Sequence, residues 1–482
     1  MKIAIVHYHL RRGGVTNVIH SAQEALRGTD HEVLVISGEA PCDGVEFDNL
    51  AIIPGLQYRR TAYLSVAEGL TDALKEKAEK HFGSQPDVWH FHNHSLGKNV
   101  LMPLAISGLA EEKAGLLLQM HDFPEDGRPM NYVAQRSFFD VEKEFARTLY
   151  PLASHVHYAT INRRDLNFLR AAGMQQEQTH HLPNSVSGFN TSTTPADRPF
   201  SKDKKFILYP TRAIRRKNLG EMLILALAYG DECSFATSLI PENPEWKPFH
   251  DHWRDLAKEM KLPISFGIAA DGTHNFNDLV GWSDAMLTTS IAEGFGLAFL
   301  EPWLSDKSVV GRNLPRITND LGNSGIHLDH LYERIEVPLD WVDEEVLRKT
   351  ADNTLRRTYL AYNRPLARKA VDQAFSRWVD NGCIDFGMLN EEFQTKIIKK
   401  VAADPAALQA LNVPSIEPCS DAEIAKKKHL VKEHYGIDTY RENLLSIYGK
   451  IANSSRGKVK SMEPRKVLEQ FLDPWRLNLL RT

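Results

Sequence analysis

The chain has 482 residues, 42% of them hydrophobic and 25% charged, with a formal net charge of −4. That length suffices for two or three domains with separate cores, and the ordinary composition excludes a disordered or fibrous chain. The small negative charge offers no general attraction to nucleic acid or acidic membrane, and no apolar run is long enough for a transmembrane helix.

In chain order, short apolar runs at 3–7, 32–36, 87–91, 116–120 and 155–159 alternate with helical patterns at 15–26, 63–80, 132–148 and 162–171. The alternation predicts a parallel sheet with crossover helices, a first domain over 1–190. The opening run Lys2–His7 is too short for a signal peptide and reads as a buried strand. A polar stretch rich in turn formers, Asn190–Pro199, reads as a linker. The alternation restarts over 200–330, with strands at 206–209, 234–237, 264–267, 285–288 and 308–311 and a helix at 219–228. Two such domains facing each other make a cleft, with ligands at the strand C-termini. Residues 331–435 are rich in Glu, Lys, Arg, Ala and Leu at helical spacing and predict a helical insertion, with helices around 340–374 and 391–411. Its role is open between shaping the acceptor side, self-association and bracing the second domain. Residues 436–482 predict closing helices at 438–451 and 464–480.

Cys42, Cys233, Cys383 and Cys419 lie far apart with no Cys-x-x-Cys pair or zinc spacing, so a reduced, cytoplasmic setting is expected. Basic clusters at Arg11-Arg12, Arg59-Arg60 and Lys426-Lys427-Lys428 read as solvated surface.

The densest chemical signal is Glu293-Gly294-Phe295-Gly296-Leu297-Ala298-Phe299-Leu300-Glu301, directly after an apolar run. It reads as strand, glycine loop and a helix starting near Gly296, whose free N–H groups at Phe295, Gly296 and Leu297 suit a phosphate or diphosphate. Glu301 is then placed a turn into the helix and Glu293 in the loop, both suited to accepting hydrogen bonds from sugar and ribose hydroxyls. The plainer reading is a strand-to-helix turn with two solvated glutamates. Arg212-Ala213-Ile214-Arg215-Arg216-Lys217 follows another strand, where fixed cations can neutralise a departing diphosphate. Arg212 and Lys217 are the candidates there, with Arg215 and Arg216 as solvated neighbours. Gly13-Gly14 follows the first strand and lets backbone approach a ligand, or is simply a tight turn. His121 ends a strand in Met120-His121-Asp122-Phe123 and can bond a hydroxyl near a reacting centre. In His90-Phe91-His92-Asn93-His94 the alternation puts three histidines on one side, but no local Cys or carboxylate completes a zinc set, so no metal is expected.

The Glu-x7-Glu stretch, with its Gly-Phe-Gly-Leu core and the preceding Ser290, resembles the signature of retaining glycosyltransferases of the family 4 type. The Arg212-x4-Lys217 spacing, the Gly13-Gly14 loop and His121-Asp122 resemble the same family. The resemblance implies the α/β GT-B fold, with two Rossmann-like doubly wound parallel-sheet domains facing a cleft and a last helix that crosses back to the first. It implies transfer of a sugar from a nucleotide diphosphate sugar to an acceptor hydroxyl with retention, by front-face attack. Gly13, Gly14, Phe295, Gly296, Leu297 and Glu301 then bind the donor; His121, Arg212, Lys217 and Glu293 serve the reaction. The donor expected by default is uridine diphosphate glucose, with no further cofactor.

The resemblance covers roughly residues 1–320 and departs in places. Asn218 and Ser185 stand where the family often has Gly, Asp306 and Ser308 replace Gly and Pro in Gly-x-Pro-Val-Val, and the Gly-Gly-x-x-Glu that commonly follows is missing. Alternatives on the same fold are a phosphate-dependent sugar phosphorylase and a non-catalytic glycosyltransferase-like binding protein; a nucleotide-sugar epimerase fits the motif less well.

Overall fold

The apolar runs fold as parallel strands buried on both faces. In the computed structural model, which describes residues 1–42, 45–60, 64–139, 142–190, 198 and 201–481, the chain divides into two units. The first comprises Met1–Ser185, Thr358–Pro365 and Tyr435–Asp473; the second comprises Val186–Arg357, Leu366–His434 and Pro474–Thr482.

The first unit contains β1 (Lys2–His7), β2 (Glu32–Ser37), β3 (Leu50–Ile52), β4 (Val88–His92), β5 (Leu116–Met120), β6 (Pro151–Leu152), β7 (Val156–Thr160) and β8 (Thr179–His181). Its main sheet is parallel in the order β3-β2-β1-β4-β5-β7-β8. Strand alternation sorts the core into two layers. Ile3, Ile5, Val33, Val35 and Leu117 pack with Ile19, Ala22 and Leu26 of the helix Gly14–Leu26 and with Leu444, Tyr448 and Ile451 of Ile437–Ala452. Ala4, Val6, Leu34, Trp89, Phe91 and Leu118 face the opposite layer, with Leu74, Ile106 and Leu109.

In the second unit, β9 (Lys205–Tyr209), β10 (Cys233–Thr237), β11 (Ile264–Ser265), β12 (Ala285–Thr288) and β13 (Ser308–Gly311) form a parallel sheet ordered β11-β10-β9-β12-β13. Strand order reverses at β1/β4 in the first unit and at β9/β12 in the second. Both sheets are doubly wound, and each has a switch point where adjacent loops part and leave room for a ligand.

Local chemistry moves several boundaries. The helix expected over 132–148 is seen as Pro129–Arg136 and Glu142–Leu149, with residues 140–141 outside the described set. The stretch 391–411 breaks into Glu391–Ala403 and Pro405–Ala410, because Pro405 lacks an amide for the helix interior and Asp404 caps the new start. The stretch 340–374 divides into Glu344–Ala361 and Ala370–Trp378. The insertion is not purely helical: β14 (Glu336–Pro338), β15 (Val379–Asp380) and β16 (Cys383–Asp385) form an antiparallel sheet ordered β14-β16-β15. Near the chain end, β17 (Lys460–Ser461) pairs with β6 in the first unit. The proposed linker Asn190–Pro199 lies, apart from Asn190 and Arg198, outside the described residues. Among the described residues no helix is long and apolar enough to cross a membrane.

Candidate active site

In the second unit, the loops leaving β9 and β12 emerge side by side because those strands are parallel neighbours. The β9 loop runs into a 3-10 turn, Arg215–Lys217, and then into the helix Leu219–Tyr229. Between them Asn218 adopts a left-handed conformation, φ 52° and ψ 55°. This explains why Asn can stand where the resemblance calls for Gly: both tolerate that region. Asn218 Nδ2 donates to Glu221, and its Oδ1 accepts from Gln394, so the side chain also anchors the turn.

The two loops are stitched together. Thr289 Oγ1 donates to the Lys217 carbonyl at 2.8 Å, Ile291 N to the Arg216 carbonyl at 3.0 Å, and Tyr209 Oη to the Lys217 carbonyl at 3.0 Å. This fixes two cations against one carboxylate. Glu293 accepts from Lys217 Nζ at 2.5 Å and from Arg216 Nη1 at 2.8 Å. Burial alone would raise the Glu293 pKa, but Lys217 and Arg216 outweigh it and hold the carboxyl down at about 2. Glu301 differs. Burial pushes its carboxyl up to about 7, Lys217 opposes this only in part, and the Glu293 charge adds to the rise. The Glu301 carboxyl has no hydrogen-bond partner among the described residues.

The backbone after Glu293 corrects the expected helix. Gly296 is left-handed, with φ 95°, and caps a 3-10 turn, Leu297–Phe299; the α-turn Glu301–Leu304 follows. Glu301 therefore opens the α-turn instead of standing a turn inside it. Gly296 is also required for packing, since a Cβ there would come within 2.7 Å of Ile317 Cγ2. Phe295 is buried at 8% exposure.

The basic residues sort differently from expectation. Arg212 pairs with Glu242 at 3.1 Å, and both side chains are well exposed. Arg216, read from sequence as solvated, is the second cation on Glu293, and Arg215 pairs with Glu391 at 2.5 Å. Spacing alone cannot tell which of three consecutive cations turns inward; the 3-10 turn and the Ile291 tie decide it.

In the first unit, Gly13, Gly14 and His121 follow β1 and β5. The helix starts at Gly14, and Gly13 is extended, with φ 169°. A Cβ on Gly14 would meet nothing within 4 Å, and one on Gly13 only the Arg11 carbonyl at 3.9 Å. Neither packing nor backbone conformation therefore demands glycine at either position. His121 is buried, and its Nε2 shares a hydrogen bond with His92 Nδ1 at 2.9 Å. Its backbone N–H donates to Asn93 Oδ1 at 2.8 Å. Burial lowers the His121 pKa to about 4, so the ring is neutral near pH 7, and Nδ1 has no partner among the described residues.

His92, which stacks on His90 at 4.3 Å between ring centroids, is the positioning partner that sequence reasoning left without a role. The three histidines do not share one side. Asn93 has φ 55°, which breaks the alternation and sends His94 to the Leu149 carbonyl at 2.9 Å. Among the described residues no group of three or more His, Cys, Asp and Glu side chains is arranged to hold a metal ion. A cavity of about 790 Å³ lined by Ser154, His157, Arg170 and Lys450 opens toward the N-terminal ends of β7 and β8, away from the strand ends that carry these clusters.

No protein-family model matches the chain. It is 25% identical over 503 residues to mannosylglucosyl-3-phosphoglycerate synthase of Petrotoga mobilis (strain DSM 10674 / SJ95), covering 97% of this chain and 96% of that one. Sucrose-phosphate synthase from Thermosynechococcus elongatus superposes with a TM-score of 0.54 at 14% identity, over 93% of this chain and 98% of the other. Anabaena HepE in complex with UDP and glucose gives 0.52 at 11% identity, over 92% and 98%. The fold is the GT-B fold, with its two Rossmann-like parallel-sheet domains.

Proposed function

We propose that this chain, a GT-B glycosyltransferase of the family 4 type, moves a sugar from a nucleotide diphosphate sugar to an acceptor hydroxyl with retention at the anomeric carbon. The observation that carries the reading is the pairing of a caged cation set, Lys217 and Arg216 on Glu293, with a partnerless carboxyl, Glu301, at the β9/β12 switch point. The bond from anomeric carbon to diphosphate oxygen breaks, a bond to the acceptor oxygen forms, and the acceptor proton passes to the departing phosphate oxygen. Negative charge grows on that oxygen, and the cations stabilise it in place without reorganisation. Glu293 keeps both cations charged and oriented, and its carboxylate is available to sugar hydroxyls. Glu301 accepts from the ribose diol. Arg212 joins from the surface, since an exposed pair such as Arg212–Glu242 is worth only about 0–1 kcal/mol and is readily exchanged for a phosphate. Neutral His121 offers Nδ1 to the transferred sugar, and the open backbone at Gly13 and Gly14 gives the ligand room.

The relative's name, a synthase of mannosylglucosyl-3-phosphoglycerate, supports sugar transfer and a product that carries charge. Uridine diphosphate glucose is the first donor to try, since HepE holds UDP and glucose. A screen of nucleoside diphosphates and their sugars by thermal shift is expected to raise the melting temperature for one base. Lys217→Ala and Arg216→Ala are each expected to cut turnover at least a hundredfold, while the cation that remains on Glu293 keeps the protein folded at a lowered melting temperature. Near wild-type turnover in both variants removes the diphosphate assignment. Activity that needs inorganic phosphate and no nucleotide selects the phosphorylase instead.

A further inference from the structure

The basic pairs at residues 11–12 and 59–60 look like scattered surface charge in the sequence. In the first unit the loops leaving β1, β3, β4 and β5 gather some of them around Tyr58. Lys98 Nζ stands 5.3 Å, and Arg11 Cζ 5.9 Å, from the centroid of the Tyr58 ring. Tyr58 is 47% exposed, and its hydroxyl shares a 2.7 Å hydrogen bond with His9 Nε2. Backbone ties hold the loops together. Asn99 Nδ2 donates to the carbonyls of Gly55 and Gln57 at 2.8 and 2.7 Å, and Arg59 N donates to the Lys98 carbonyl at 2.7 Å.

The charges do not cancel. Arg11 is paired with Glu39 at 2.5 Å and Arg128 with Asp122 at 2.6 Å, beside His121. Lys98 and Arg60 have no ion-pair partner among the described residues. Burial lowers the Lys98 pKa first, and repulsion from Arg60 and Arg128 lowers it further, with only Asp122 opposing. Lys98 is thus a half-withdrawn ammonium near two guanidinium groups, of which Asp122 neutralises only that of Arg128. An anion would relieve the repulsion.

We propose, on the strength of the sugar-transfer reading, that this cluster is the acceptor's anion subsite: Lys98, Arg60 and Arg128 hold a phosphate or carboxylate, so the acceptor is an anionic sugar derivative. Lys98 supplies a compact charge and the arginines supply planar donor forks, the combination that suits an oxyanion. Tyr58 offers its exposed ring to the apolar face of the acceptor sugar. The subsite adjoins His121 through Asp122, on the unit that also carries the Gly13-Gly14 loop.

The test uses the full-length chain saturated with uridine or guanosine diphosphate, whichever binds, so that the cations at Glu293 are occupied. Glucose 6-phosphate, glucuronate, 3-phosphoglycerate and glucose are titrated by calorimetry into wild type, Lys98→Met and the surface variant Arg60→Ala. Wild type is expected to bind at least one anion and not glucose. Lys98→Met is expected to weaken that anion at least tenfold and Arg60→Ala severalfold, with nucleotide affinity retained. Glucose 6-phosphate alone identifies phosphate as the group read, and glucuronate alone identifies carboxylate. Failure of every anion to bind wild type, or unchanged anion affinity in both variants, overturns the subsite. Failure of wild type to bind any nucleotide strikes the donor reading instead, while the anion titrations run without nucleotide still decide this one.

Discussion

Glu293 and Glu301 are eight positions apart and chemically identical, yet their surroundings shift their pKa in opposite directions, down to about 2 and up to about 7. Glu293 has two cations in contact; Glu301 feels one of them at a distance and also feels Glu293. The difference gives a pH prediction for donor binding. A carboxylate accepting two ribose hydroxyls, the role proposed for Glu301, is favoured in its charged form, so the bound pKa is expected to fall below the free value near 7. Nucleotide binding must then take a proton off Glu301 when the pH is below 7. Affinity is expected to rise with pH, by up to tenfold per unit below pH 7, and to level off above it. Calorimetry in buffers of different ionisation enthalpy should register proton release at pH 6 and little at pH 8. Glu301→Gln should weaken binding and flatten the profile; an unchanged slope in that variant places the titrating group elsewhere. The two glutamates were legible in the sequence from the glycine loop between them, but their charge states were not. That of Glu293 depends on Arg216, which the sequence offers as one of three adjacent cations, and on an inward turn fixed by Thr289 and Ile291 from the loop after β12.

At the scale of elements, the insertion is pinned to the second sheet by a buried ionic cluster. Arg312, just after β13, donates to Glu221 on the helix after β9 and to Asp385 at the end of β16, with side-chain exposures of 3%, 0% and 15%. Tyr332 Oη also donates to Glu221, at 2.8 Å. Gly387 is small because a Cβ there would come within 2.8 Å of the Arg312 guanidinium. Removing one member leaves a buried charge unpaired, so Glu221→Ala is expected to cost about 3–5 kcal/mol. Replacing Arg312, Glu221 and Asp385 together by apolar side chains of similar volume should recover most of that loss. Chemical denaturation of the two variants distinguishes a pinning cluster from an incidental one: if Glu221→Ala unfolds at the wild-type midpoint, the cluster does not hold the insertion. The long apolar strands of both sheets were readable because burial on both faces leaves continuous hydrophobic runs. Leu50–Ile52 and Thr179–His181 were not, being three residues each and, in the second case, polar. The small sheet of the insertion escaped for a similar reason: its strands are two or three residues long and interrupt a helical composition.

Over the whole molecule, neither unit is a contiguous stretch of chain; each is assembled from three segments. Residue patterning alone gives little warning of this, because the returning segment 435–473 looks like any other amphipathic helix pair; a crossing back was only what the family resemblance implied. Its role is visible only in packing. Tyr440, Leu444, Ile447, Tyr448 and Ile451 are buried, and together they form much of the helix layer on one face of the first sheet. Tyr448 Oη also shares a 2.8 Å hydrogen bond with buried His90 Nδ1. A fragment ending at Ser185 lacks this layer and exposes Ile3, Ile5, Val35 and Leu117, an apolar face too continuous for a stable monomer. The fragment 1–185 is therefore expected to bind hydrophobic dye and to lack a cooperative melt, whereas the same fragment joined by a flexible linker to 435–473 should regain one. A sharp cooperative melt for the bare fragment would mean that the returning helix only decorates a sheet already stable without it. If the linked fragment alone melts cooperatively, the first unit depends on its returning segment, and truncations between Tyr435 and Asp473 should abolish transfer even though every residue around Glu293 is retained.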